Sequence, residues 1–175
     1  MDPCQIVKRK LYCSYRLEHL VAKLLLTYAE KLKDSPKERE ARAILAAIAI
    51  ESSKHAELID MIARLYNLYE EVDDCSQVIG MPWLVLQEFF EEVSSGRHID
   101  LKKFIEKQIW LENAVGEETY HKLLLPLLSL KEELRNCADP STLSSIELLF
   151  KKIALYEKWH EEMLKKIDGA IATSI

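Results

Sequence analysis

A chain of 175 residues, 49% hydrophobic and 30% charged, holds enough apolar material for one packed domain and is too apolar for intrinsic disorder. Four glycines and five prolines are too few to punctuate a many-turned β fold, so long helices are expected. The net charge of −5 lacks the basic footprint of a general nucleic-acid binder, and no stretch approaches the roughly eighteen uncharged apolar residues of a membrane span.

In chain order, the apolar residues Leu11, Tyr15, Ala22, Leu25 and Tyr28 recur at steps of three and four, predicting a helix over 7–33 that ends at Asp34-Ser35-Pro36. Ser35 is a candidate N-cap, with Pro36 at the first helical position and Glu38 placed for a capping box. The second helix then runs to about Glu71, and the short break before it implies an antiparallel hairpin. Residues 81–93 predict a short apolar helix after a polar connector. A third long helix starts near the cap Asp100 and reaches about Leu125, where Pro126 must kink or end it. Residues 127–136 look helical again. Ser141 or Thr142 opens a last long helix that continues to about Ile167, before Gly169. The expected fold class is all-α: four long helices in a bundle, with a short crossover helix between the second and third. Residues 1–168 form the single domain in this reading and 169–175 a short tail.

The polar residues inside the apolar stripes are more informative. Glu18 shares a face with Leu11, Tyr15, Ala22 and Leu25. Glu51 lies among Ile44, Ala47, Ile48 and Leu58, and His55 continues that stripe. Glu112 follows Ile105 and Ile109. Glu157 and His160 stand between Ile153 and Leu164. Each long helix thus carries a Glu on its expected inward face, and two of the helices add a His. A buried unpaired carboxylate costs several kcal/mol, so four of them require cations or protons. Two divalent metals balance four carboxylates, and a Glu and a His three or four residues apart on a helix project the same way.

These residues give the chain a resemblance to the ferritin-like superfamily, in particular its rubrerythrin-type members. That pattern takes a Glu from the first helix, Glu-x-x-His from the second, a Glu from the third and Glu-x-x-His from the fourth. Glu157-Lys158-Trp159-His160 matches the last element, Glu18 and Glu112 the single glutamates, and His55-Ala56-Glu57-Leu58 the sequence around the second-helix ligand. One position departs from the pattern: Ser52 stands three before His55, and Glu51 four before it. The resemblance implies a non-haem diiron site held by Glu18, Glu51, His55, Glu112, Glu157 and His160, with manganese as the other metal such donors suit. Glu118 and His121 form a rival pair on the third helix, and Tyr28 and Tyr120 are candidate partners for ligand carboxylates. The implied chemistry is redox: peroxide or dioxygen reduction, iron(II) oxidation, or oxidation of a small substrate, with electrons from a separate donor because no paired CxxC module is present. The competing reading is a helical scaffold with a degenerate site, acting as an interaction protein.

His19 and His98 receive no role. The apolar segment 81–90 has two readings, a cap on one end of the bundle or a homodimer surface. Cys4, Cys13, Cys75 and Cys137 are scattered without a CxxC pair and are expected as free thiols, which with the polar N-terminus makes a cytoplasmic location the expectation.

Overall fold

The computed structural model describes residues 2–129 and 132–172, without the side chains of residues 117, 118, 123 and 172. Helix α1 spans Pro3–Ala29, α2 Pro36–Leu65, α3 Ser76–Ile79, α4 Met81–Ser94, α5 Leu101–Ala114, α6 Leu125–Ser129 and α7 Pro140–Ala172. A π-helical segment, Val115–Leu124, joins α5 to α6. No strand occurs among the described residues, so the chain is all-helical. None of its helices is long and apolar enough to cross a membrane.

Local chemistry sets most of the helix starts. Asp2 caps α1 through the amide of Cys4, with Pro3 at the first position. Ser35 accepts from the amide of Glu38 at 3.3 Å and donates to its carboxylate at 2.8 Å, linking the two ends of the predicted capping box. Asp100 accepts from Lys102 and Lys103, and Asp139 accepts from Ser141 and Thr142, so the last helix opens at Pro140, slightly earlier than expected. The second helix stops at Leu65, short of Glu71, where Asn67 turns the chain with φ of 55°. The last helix runs through Gly169 to Ala172 instead of ending near Ile167.

Long-range contacts fix the helix directions. Cys4, at the start of α1, lies beside Cys137, just ahead of α7, so α1 and α7 run parallel. The Tyr28 hydroxyl, at the far end of α1, donates to the Ile99 carbonyl ahead of α5, so α5 runs against α1. Lys37, at the start of α2, reaches the carbonyl of Ile171 near the end of α7, so those two helices are also antiparallel. The long connection from α2 to α5 carries α4 back along α1, with Arg16 over the Trp83 ring and Lys31 donating to the Val93 carbonyl. Helix α4 buries Trp83, Leu86, Phe89 and Val93 while leaving Met81 and Leu84 exposed. It therefore closes the α1–α5 side as an amphipathic cover.

Three expectations need correction. Residues 132–137 form turns, where a helix over 127–136 was expected, and residues 130 and 131 lie outside the described ones. Pro126 does not end the helix, the second of its two expected effects: it sits at the second position of α6, directly after the π-helical segment. The i→i+5 pattern of that segment inserts roughly one extra residue per turn. The cysteines are not free thiols. Cys4 pairs with Cys137 and Cys13 with Cys75, at Cα separations of 5.3 and 5.5 Å. Separations of 133 and 62 residues leave no local signature of either bridge, because only the tertiary approach of α1 to the two loops creates it.

Candidate metal centre

In the core between α1, α2, α5 and α7, the charged or titratable side chains Glu18, His55, Glu112, Glu157 and His160 are all buried. Two groups of side chains converge there, Glu18–His55–Glu157 and Glu112–Glu157–His160. Within each group the donor atoms lie no more than 4.8 Å apart, and Glu157 belongs to both. The Glu157 Oε1 atom is 3.6 Å from His55 Nδ1 and 3.7 Å from His160 Nδ1. His55 Nδ1 is also 3.8 Å from a Glu18 oxygen, and His160 Nδ1 is 3.2 Å from a Glu112 oxygen.

Most of these separations are too long for hydrogen bonds, and Glu157 Oε1, His55 Nδ1 and His160 Nε2 are buried without one. They are close to the spacing of neighbouring ligands on one ion: donors about 2.1 Å from a metal stand roughly 3.0–3.5 Å apart. A buried carboxylate oxygen with no donor, set between two imidazoles, is the observation that fits a cation bound there. The donor set of carboxylate and imidazole suits iron, manganese or zinc.

Electrostatics describe the same site without a cation. Burial pushes the Glu157 carboxyl well above the usual range, and the charges of Glu18 and Glu112 push it further. Burial also acts to raise Glu112, but the hydrogen bond and charge of His160 outweigh it and lower this carboxyl. His160 is raised correspondingly: burial lowers it, and its bond to Glu112 more than compensates. Of these two carboxyls, the one facing His160 is thus lowered and the one set between the imidazoles raised.

Neighbouring side chains hold the donors in place. The Tyr120 hydroxyl donates to Glu18 Oε1 and the Gln108 amide to Glu112 Oε1. Burial, then the charge of Glu18, raises the Tyr120 hydroxyl well above its ordinary value, so it stays a donor. Glu112, Gly116 and Tyr120 are spaced by four, the first on α5 and the other two on the wider turns of the π-helical segment. A Cβ on Gly116 would lie 3.2 Å from Glu157 Cβ, so glycine at this position lets the segment approach α7 beside the shared carboxylate. A cleft of about 280 Å³, lined in part by Glu112, Gly116, His121, Glu157 and Glu161, opens the cluster towards the surface.

Among the six expected ligands, Glu51 is not brought to this cluster. It stands half-buried on the outer side of α2, bonded to Lys54 at 2.8 Å, and Ser52 takes the inward place. The physical reason is rotation: one residue along a helix turns the side chain by about 100°. His121 is exposed at the cleft and outside both groups, and the Glu118 side chain lies outside the described residues. Tyr28 does not reach the cluster either. Its ring stacks on Phe104 at 3.6 Å and its hydroxyl serves the Ile99 carbonyl. The sequence reading overlooked Gln108 and Gly116, although Gln108 sits one turn before Glu112 on the same helix face. Comparison with protein-family models, curated proteins and solved structures gives no match.

Proposed function

We propose that this chain is a ferritin-like four-helix protein that holds two divalent transition metals, iron or manganese, between its two helix pairs. The observation that carries the reading is Glu157, a buried carboxylate whose free oxygen lies between His55 and His160 with Glu18 and Glu112 beside them. Glu112, Glu157 and His160 would hold one ion, and Glu18, His55 and Glu157 the other. The helix directions and the crossover through α4 support the ferritin-like topology.

When bound, such a metal pair supplies redox chemistry with peroxide, dioxygen or iron(II). The chain's own contributions are more specific. Glu157 would serve as a ligand to both ions, since it belongs to both groups of donors. Tyr120 and Gln108 orient the Glu18 and Glu112 carboxylates through the oxygens they bind. The packed rings of Tyr120 and Phe150, with centroids 5.6 Å apart, keep water from one side of the cluster, and the cleft beside Gly116 provides entry for small oxidants. Electrons for turnover would come from a separate donor.

The alternative, a metal-free interaction scaffold, draws on Ser52, which leaves the second position one carboxylate short. Metal content per chain distinguishes the two. Protein purified without chelators and reloaded anaerobically with iron(II) should carry close to two ions by elemental mass spectrometry, and absence of any bound metal would refute the metal reading.

A further inference from the structure

Helices α5 and α7 supply Glu112 with Glu157 and His160, while α1 and α2 supply Glu18 with Ser52 and His55. Ser52 thus stands three before its histidine, as Glu157 does, and replaces a carboxylate with a short hydroxyl. That side chain is fully buried, and its Oγ has no hydrogen-bond partner. Three carboxylates also leave two divalent cations one negative charge short of balance.

On the outer side of the same turns lies a groove of about 700 Å³ between α2 and α7, lined by Ala47, Ile50, Glu51, Leu155, Tyr156 and Trp159, with Lys152 at its edge. A volume of this size accommodates a small organic molecule. The groove and the cluster are built on neighbouring residues of α2 and α7, with no residue in common. Tyr156 lines the groove and its ring lies 5.4 Å from that of His55; Trp159 lines it and lies 5.6 Å from His160. The walls are apolar, and Glu51, turned outward, disfavours a ligand with a second negative charge at this end.

We infer that the place left by Ser52 is taken by an exogenous carboxylate, the head of an apolar monocarboxylic acid whose body lies in the α2–α7 groove. The acid supplies the missing negative charge, Ser52 Oγ donates to it, and Tyr156 turns aside to admit it. This inference rests on the metal reading and makes the substrate or effector of that site an apolar acid.

The test uses the full chain with Mn(II), and reads metal affinity by chelator competition together with tryptophan fluorescence. Octanoate should tighten retention of the second ion by about tenfold or more and change the fluorescence. Acetate should act more weakly, because it lacks the body, and octanol should have no effect on metal retention, because it lacks the head. Ser52→Glu should retain the second ion without octanoate and lose the octanoate response. Leu155→Glu should weaken octanoate more than acetate. Two ions bound by wild type with no octanoate effect would overturn the inference while leaving the metal reading intact, and so would an octanoate response that survives in Ser52→Glu. A dimer in sedimentation that Leu155→Glu disrupts would also overturn it, since a second copy would then occupy the groove. Failure of wild type to bind any metal would overturn both readings. Should Ser52→Glu fail to fold, the octanoate, acetate and octanol series on wild type decides alone.

Discussion

The two halves of the cluster use the same helix spacing and reach different degrees of completeness. On α5 and α7, Glu112 is fixed by Gln108, lies 3.2 Å from His160, and has Glu157 one turn before that histidine. On α1 and α2, Glu18 is fixed by Tyr120, but it stands 3.8 Å from His55, and the turn before that histidine offers only Ser52. The difference teaches that the periodicity of a helix fixes which positions face inward, whereas the residue type at one position fixes how much charge arrives there. Glu51 has the right chemistry on the wrong side of the helix.

The comparison breaks most completely at the residue that the halves share. Glu157→Gln should abolish metal binding in both, read as ions per chain. Without metal, the same variant should be more stable than wild type by about 1–2 kcal/mol in denaturant melts, because it removes a buried, unfavourably placed carboxylate. Next in size, His160→Ala should remove the tighter ion and His55→Ala the weaker one, each leaving close to one ion per chain. The ion left in His160→Ala should be the more easily stripped by a chelator, and equal affinity of the remaining ion in the two variants would erase the asymmetry.

The pH dependence of the metal-free protein follows from Glu157 and His160, both held above their ordinary values. A group raised on folding adds stability below its unfolded value and loses that contribution as pH climbs through its folded value. Metal-free protein should therefore melt progressively lower as pH rises from about 5 to about 8, and Mn(II) loading should flatten that slope by replacing the protons. Glu112, lowered on folding, acts in the opposite sense and only in acid. Smaller still, Tyr120→Phe and Gln108→Leu should each weaken metal affinity by about ten- to a hundredfold, the first acting on the Glu18 half and the second on the Glu112 half. His121→Ala, at the cleft and outside both groups, should change the ion count least.

Much of this arrangement was legible in the sequence because local rules governed it. Ser35 and Asp100 cap the helices they were expected to cap, and Glu18, His55, Glu112, Glu157 and His160 are buried together as the apolar stripes required. The departures have separate physical origins. Glu51 sits at the margin of its stripe, where a single residue of rotation decides between core and surface, and Lys54 one turn later gives it a partner outside. Tyr28 shares the face of Glu18 but lies nearly three turns away along α1, too far to reach it. The π-helical segment has no signature in a period of three and four, and it is the segment that brings Gly116 and Tyr120 to the cluster. The cysteine pairs depend wholly on how the finished helices approach one another.

Those pairs also determine what a protease can release. The Cys4–Cys137 bridge closes a ring that contains α1 through α6 and the turn region before α7. A single backbone cut anywhere between the two cysteines opens the ring without separating its pieces. The exposed Asn67 turn after α2 and the Gly96 turn after α4 can each be nicked once, and the fragments stay covalently joined until the bridges are reduced. On a gel such a nicked chain runs as one species under oxidising conditions and as two under reducing ones. The helices that carry Glu18, His55, Glu112 and Glu157 are thereby held in one covalent unit even where the chain between them is broken.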